Sequence, residues 1–337
     1  MDLKSENDIE IVIKGLKDLI NSLSDPSYEK EVRLITARRN CYDSIANYYF
    51  FAMMDIKNAN DSFDQGVEDC ERIGDRVFKD IVKIEDIYFC SVFLKGFEKA
   101  KQELNNFPRK DLISMEGTQT EIHFNAYRNG VLSWYYLANG DRDELLKCIS
   151  SIARAEGMQY RFIQIVPELL YYTDSEDNDN FITALENAEN TYRDKPFTIE
   201  TILPRALILS TSSEVFARIG HMDEAKKRYH LLGEMVSKLN QKWLAALHSR
   251  AGAIIAMKEN RFGEAEDMLT ASTAIWKDLG FKFFAGRDLL LLAAVYHSNG
   301  NLSKSDDSLN KAMNLFTQVG AKMYAQMVLA RKELLKA

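Results

Sequence analysis

Glycine and proline are scarce in this sequence of 337 residues, which contains 16 and 5 of them respectively. Both residue types interrupt helices and favour turns, so their scarcity fits long helices better than a turn-rich β fold. Hydrophobic residues make up 46% of the chain and charged residues 28%, an ordinary globular balance that allows a large core. The length suits either two ordinary domains or one elongated repeat domain.

An excess of positive charge and a long apolar run are also missing. The net charge is −7 at pH 7 and the sequence pI is about 5.5. Since binding to nucleic acid without sequence preference needs a basic surface, we expect no direct contact with nucleic acid. The N-terminus lacks the basic and apolar segments of a secretion signal. The longest apolar stretches, such as Leu289–Tyr296, are too short to cross a bilayer. We therefore expect a cytoplasmic protein that does not contact a membrane.

Motifs for metal binding and catalysis are absent from the sequence as well. The four cysteines form no C-x-x-C pair, so we expect small buried residues and neither a zinc site nor a redox motif. The sequence contains no H-E-x-x-H and no G-x-S-x-G. The run Asp174–Asp179 starts like a calcium loop, but its sixth and twelfth places hold Asp179 and Leu185 instead of Gly and Glu. We expect this run to be a solvated turn, and we expect no enzyme, cofactor or metal.

An internal repeat with a period of 40 residues is the most informative feature that the sequence does contain. Its clearest copies are Ala217–Ala225, Met257–Ala265 and His297–Ser305. In each copy a Gly or Asn is followed two places later by an apolar residue and five places later by a small one. The same interval, followed backwards, predicts turns near residues 140, 180, 220, 260 and 300. Each repeat is therefore predicted to be two helices joined by a tight turn, because Gly and Asn tolerate the positive φ that ends a helix.

The N-terminal third, residues 1–118, follows the repeat only loosely. The predicted helices are Asn7–Leu23, Tyr28–Ile56 and Ile81–Phe93. We predict turns within Asn58–Phe63 and Phe93–Ala100. The segment Asn105–Gly117 has no clear period, and we predict that it connects this third to the repeats at residues 119–320. At the other end, Ala321–Lys336 is amphipathic and is predicted to be the capping helix that a stack of repeats requires.

The residues around the turns resemble the tetratricopeptide repeat (TPR) family. In that pattern a small residue stands seven places before the turn, an aromatic or small residue four before it, and a small residue five after it. The matching residues are Ser213, Phe216 and Ala225, then Ala293, Tyr296 and Ser305, and more weakly Ser133, Tyr136 and Leu145. The resemblance covers about Gln119–Lys336. It implies an all-α fold, a right-handed α-solenoid of helix-turn-helix repeats.

The period of 40 exceeds the usual ~34 residues of these repeats. It is similar to the longer variety in the helical sensor regions of signalling ATPases and of maltose-activator-type regulators. Those relatives carry a nucleotide-binding domain, whereas this chain has no G-x-x-x-x-G-K-[ST] loop. The resemblance therefore implies the sensor or scaffold part alone.

The predicted binding site is the concave groove, which the first helix of each repeat lines in this fold. The residues predicted to face it are Tyr127, Trp134, Glu214, Arg218, Arg250, Lys258, Arg287 and His297. The four cations in this set would form a strip suited to an acidic peptide or a terminal carboxylate, and the two aromatic residues would form an apolar floor. Alternatively, the cations lie over a solvated groove and bind nothing. If the strip binds, replacing Arg250 and Arg287 should weaken binding with little loss of melting temperature.

Two functions of different classes remain open at this point. The first is a scaffold for protein–protein interaction, or a peptide-binding module, that uses the concave groove. The alternative is a ligand-sensing regulatory protein of a signalling or transcription system. An enzyme would need a deep pocket with clustered titratable groups, which the sequence does not indicate. A homodimer is also open, because the run Tyr48–Phe51 is either an exposed contact surface or buried packing within a long helix.

Overall fold

The computed structural model of this protein describes residues 5–107, 118–153 and 158–336. All regular structure in these residues is helical, and consecutive helices pack against one another along the chain. The predicted all-α solenoid is therefore confirmed. The predicted connecting segment Asn105–Gly117 lies outside the described residues from position 108 onward.

Seventeen helices are assigned in the described residues, and the bounds of each are as follows. The first six are α1 Glu6–Ser22, α2 Val32–Tyr48, α3 Ile56–Ile73, α4 Arg76–Asp86, α5 Val92–Leu94 and α6 Phe97–Asn105. The next five are α7 Gln119–Asn139, α8 Arg142–Ala153, α9 Met158–Asp174, α10 Asn178–Tyr192 and α11 Ile199–Arg218. The last six are α12 Met222–Leu239, α13 Lys242–Lys258, α14 Phe262–Asp278, α15 Lys282–Ser298, α16 Leu302–Val319 and α17 Lys322–Lys336. The π-helical segments Tyr49–Met53 and Ile87–Ser91 extend α2 and α4.

The chain reverses direction every 20 residues from position 220 to position 320. The residues with positive φ at these reversals are Gly220, Asn240, Asn260, Gly280, Gly300 and Gly320. At the first, the N–H of His221 donates to the carbonyl oxygen of Phe216 over 2.8 Å, which closes the end of α11. Further towards the N-terminus, positive φ occurs at Gly140 and at Glu176, so the turn predicted near 180 lies four residues earlier.

Small residues let the two helices of a repeat approach closely. The hydroxyl of Ser213 in α11 donates to the carbonyl oxygen of Ala225 in α12 over 2.9 Å. The equivalent bond in the last repeat runs from Ser305 in α16 to the carbonyl oxygen of Ala293 in α15 over 2.8 Å. A larger residue at any of these places would hold the helices apart.

One turn predicted in the N-terminal third is wrong. The segment Asn58–Phe63 lies inside α3, and the reversal occurs before it at Met54, whose φ is +52°. The carboxylate of Asp55 accepts from the N–H of Asn58 at 3.1 Å and starts the helix. The polar residues that suggested a turn are therefore the cap and the exposed face of a helix. A second reversal, at Gly74 with φ +73°, was not predicted.

The aromatic run Tyr48–Phe51 lies mainly in the interior of this third. Tyr49, Phe50 and Phe51 are all buried, and their π-helical segment continues α2. Of the two interpretations of the run, buried packing is the one that the structure shows. These rings therefore provide no exposed surface for a homodimer.

The N-terminal third, which forms one end of the solenoid, contacts the last repeats, which form the other end. A Cβ added at Gly96, just before α6, would lie 2.9 Å from the Cα of Val319 at the end of α16. On another side of the N-terminal third, Nε1 of Trp243 in α13 donates to the carbonyl oxygen of Ala52 over 2.9 Å. The N-terminal third thus packs against the last repeats, and the inner side of the solenoid is closed.

Candidate functional site: the inner face of the solenoid

The two aromatic residues of the predicted groove are buried. Tyr127 is 4% exposed and Trp134 is 2% exposed. The ring of Trp134 lies 5.2 Å from that of Phe93 and 6.2 Å from that of Phe283, measured between centroids. Phe93 comes from the N-terminal third and Phe283 from α15, so these rings join the N-terminal third to the last repeats. In this closed arrangement they form core rather than an open floor.

Arg250 lies at the centre of the inner face and is held by two carboxylates. Its Nε and Nη2 contact the two oxygens of Glu214 at 3.1 and 3.2 Å. Its Nη1 donates to Oδ1 of Asp288 at 2.8 Å, and Ser272 donates to the other oxygen of Asp288 at 2.5 Å. Both carboxylates and the guanidinium are buried. These four side chains join four helices, α11, α13, α14 and α15.

The charged states of Glu214, Arg250 and Asp288 depend on one another. Burial disfavours the charged form of Glu214, but the guanidinium groups beside it, Arg250 foremost, hold the pKa of this carboxyl below its ordinary value. Burial raises the pKa of Asp288. The surrounding carboxylates, Glu214 foremost, raise the pKa of Arg250 against the opposing effect of its burial.

Arg287 is paired with a carboxylate from the opposite side of the inner face. Its Nη2 contacts Oδ1 of Asp174 at 2.5 Å, and the hydroxyl of Tyr324 donates to Oδ2 of the same carboxylate at 2.5 Å. Asp174 ends α9, whereas its partners lie on α15 and α17, 113 and 150 residues further along the chain. The side chain of Asp174 is only 7% exposed, so the prediction of a solvated turn is wrong for this residue.

The remaining residues of the predicted groove, Arg218, Lys258 and His297, lie towards the edge of the inner face. Arg218 donates to the carbonyl oxygen of Thr173 at 2.6 Å, and Lys258 donates to the carbonyl oxygen of Arg218 at 3.2 Å. Lys258 and His297 are exposed. The structure therefore brings Glu214 and the four cations to one face, but Arg250 and Arg287 are neutralised and buried there. Whether these residues bind a partner stays a prediction.

Sequence reasoning missed the acids that neutralise the cations, Asp174 and Asp288. For Asp288 a local signal exists. It follows Arg287 inside a helix that is otherwise almost entirely apolar from Phe281 to Tyr296. Adjacent opposite charges with no polar face around them indicate buried ion pairs. For Asp174 no such signal exists, because its partners are far away in the sequence.

A second cluster of buried titratable groups joins the N-terminal third to the repeats. Nε2 of His123 in α7 lies 2.9 Å from a carboxylate oxygen of Glu85 in α4, although the two are not aligned for a hydrogen bond. Nδ1 of His123 lies 3.2 Å from the hydroxyl of Tyr160 in α9. Asp43 in α2 lies close enough to Glu85 for the two carboxyls to affect each other's pKa. Burial raises the pKa of Asp43 to about 8 and that of Glu85 to about 7, and lowers the pKa of His123 to about 4.

From the raised pKa values of Asp43 and Glu85 we predict that the stability of the protein decreases from pH 6.5 to pH 8. A carboxyl with a raised pKa in the folded state stabilises at low pH, and that contribution is lost as the pH rises through the folded pKa. His123 opposes this trend only below about pH 6.5, its ordinary pKa. In urea unfolding at the two pH values, the free energy of unfolding should fall by about 1–2 kcal/mol.

Asp43→Asn should reduce this pH dependence, because the amide has nearly the shape of the carboxyl group but no titrating proton. Asp61→Asn, on the exposed face of α3, makes the same replacement at a solvated carboxyl and should keep the pH dependence of the natural protein. Equal slopes for both variants would rule out Asp43 as the cause.

Residues 5–107, 118–153 and 158–336 contain no group of three or more His, Cys, Asp or Glu side chains placed to hold a metal ion. Across the same ranges, every helix is too short or too polar to traverse a bilayer.

Comparison with known proteins supports the fold. No protein-family model matches this chain, and no curated protein matches it. Among solved structures, the chain is similar to a Rap protein crystallised in complex with competence and sporulation factor, with a TM-score of 0.62 and 11% sequence identity. The match covers 88% of this chain and 80% of that one. At this identity the similarity shows a shared helical-repeat fold and nothing about function.

Proposed function

We propose that this protein is a non-enzymatic regulatory scaffold of the cytoplasm that binds an acidic protein or peptide segment on its inner face. The observation that carries the proposal is the pairing of Arg287 with Asp174 across that face. Asp174 occupies the place that a carboxylate of a partner would take. The Rap protein with the same fold was crystallised with a bound factor, which supports a search for a partner here.

Binding in this proposal requires the inner face to open. A partner must separate the end of α9 from α15 and α17, and its own carboxylate then replaces Asp174 at Arg287 and Tyr324. The apparent affinity is therefore the affinity of the open state multiplied by the fraction of molecules that are open. A change that removes Asp174 should raise the affinity for the partner for two reasons. It frees Arg287 and Tyr324 to bind the partner, and it weakens the closed state.

Asp174→Ala tests this mechanism. Peptides would be selected from a random-sequence display library on the natural protein, and their affinities would be measured by fluorescence anisotropy. We expect the selected peptides to be acidic and to bind Asp174→Ala at least ~5-fold more tightly than the natural protein. Asp179→Ala removes an exposed acid from the start of α10 and should leave the affinity unchanged.

A double variant isolates the contribution of Arg287. Asp174→Ala with Arg287→Met lacks the same intrachain ion pair as Asp174→Ala alone, so the two differ only in the cation offered to a partner. The double variant should bind the acidic peptides at least ~10-fold more weakly, the usual effect of losing one charge-assisted hydrogen bond. Peptides without acidic residues, or equal affinities for the two variants, would contradict the proposal.

The alternative function is a ligand-sensing regulator. A pocket on the outer face of the solenoid favours it, and its ligand is inferred below independently of the inner face.

A further inference from the structure

A cavity of about 490 Å³ lies between α10 and α12, with α11 as its floor. We call it the outer pocket. Its apolar lining residues are Phe197, Ile208, Leu209, Leu231 and Met235. A volume of this size is typical of sites for small organic ligands. None of its lining residues belongs to the inner face described above.

The outer pocket carries more positive than negative charge, although the protein as a whole is acidic. Its cations are Arg193, Arg205, Arg228 and Lys238, and its acids are Glu189 and Glu234. Glu189 is already paired with Arg228. The ammonium group of Lys238 lies 4.6 Å from the centroid of the Phe197 ring, so a cation and an apolar surface stand side by side. This combination suits a molecule that is both apolar and negatively charged.

The groups that point to a bound ligand are buried donors without acceptors. Tyr192 lines the pocket and is 3% exposed, and within the described residues its hydroxyl has no hydrogen-bonding partner. The Nε atoms of Arg205 and Arg228 are buried and unpartnered in the same way. Buried polar groups are rarely left unpaired, because desolvation without a new bond is unfavourable. Three such donors around one cavity indicate that an acceptor belongs there.

Arg205 is fixed in place by the chain around it. Its Nη2 donates to the carbonyl oxygens of Tyr192 and Lys195, both at 2.7 Å, and so ties α11 to the end of α10. The buried Nε of Arg205 is left as a free donor, and the two bonds of Nη2 hold the guanidinium in position. Such pre-arranged donors lower the cost of binding an anion.

We propose that the outer pocket binds a small organic acid with an apolar body. Its carboxylate accepts hydrogen bonds from Tyr192 and Arg205, and its apolar part lies against Phe197, Leu209 and Met235. A carboxylate fits these groups because it only accepts hydrogen bonds and has room for several donors. This inference does not depend on partner binding at the inner face.

Three eight-carbon probes test the chemistry of the ligand: octanoate, 1-octanol and octylamine, each titrated into the protein by isothermal calorimetry. Octanoate should bind at least ~10-fold more tightly than 1-octanol, and octylamine should bind least, because only octanoate offers an anion to the donors. The absence of octanoate binding at millimolar concentration, or equal binding of the alcohol, would overturn the proposal. So would binding of an acetylated peptide that ends in leucine when octanoate does not bind.

Tyr192→Phe locates the site. The variant removes a hydroxyl that has no partner in the free protein, so the melting temperature should not fall, while the affinity for octanoate should drop ~10-fold. Tyr229→Phe, on α12 outside the pocket, is the matched control and should bind octanoate normally. Normal binding by Tyr192→Phe would place octanoate elsewhere and overturn the assignment.

Discussion

Arg250→Met is expected to destabilise the protein by about 3–5 kcal/mol and to lower its melting temperature by about 4–7 °C. The change leaves Glu214 and Asp288 buried without the guanidinium that both carboxylates contact. Removing one partner of a buried ion pair is costly, because the remaining charge is neither hydrated nor neutralised. Urea unfolding followed by circular dichroism, together with thermal melting, measures both quantities.

Two control variants test whether the loss of stability comes from buried charges that are left unpaired. Arg261→Met removes an exposed arginine that is paired with Glu259, and it should leave the melting temperature nearly unchanged. The triple variant Glu214→Gln, Arg250→Met and Asp288→Asn removes all three charges together and should recover more than half of the loss. A triple variant as unstable as Arg250→Met would mean that packing, not the unpaired charge, causes the effect.

A large loss of stability in Arg250→Met would contradict one expectation from the sequence, which concerned the melting temperature. Replacing Arg250 and Arg287 was expected to change binding with little loss of melting temperature, because both were placed in a solvated groove. Helical geometry did locate them on the inner side, where Arg250 meets Glu214 and Asp288. It could not show that the inner side is closed. Exposure depends on what packs against a face, and that is set by contacts between distant segments.

The turns were more predictable than the site for a physical reason. A helix that ends in positive φ favours Gly or Asn at one place, so Gly220, Asn260 and Gly300 are visible as single letters at a fixed interval. The bond between Asp174 and Tyr324 spans 150 residues and needs only an acid and a phenol, which occur at many places in the chain. The N-terminal third was hardest to predict, because its caps and turns use the same polar residues as its exposed helix faces.

The closed inner face is the central claim, and two residues near the contact of the two ends allow a direct test. A Cβ added at Gly320 would lie 3.5 Å from the Cβ of Glu98, which falls in the range that a disulfide requires. The four natural cysteines are buried, so they should compete little with two introduced thiols. Cys in place of Gly320 must adopt a φ of +74°, at a cost of about 1–2 kcal/mol that should leave the fold intact.

The most direct measurement is the rate of disulfide formation in the variant that combines Glu98→Cys with Gly320→Cys, under mild oxidation and without denaturant. A closed solenoid predicts nearly complete formation of an intramolecular disulfide, seen as a mobility shift on a non-reducing gel that reductant reverses. The control, Glu98→Cys with Gly300→Cys, carries its second thiol at the turn before α16 and should stay reduced. If the first pair stayed reduced as long as the control, the two ends would not be in contact, and the closed inner face would be contradicted.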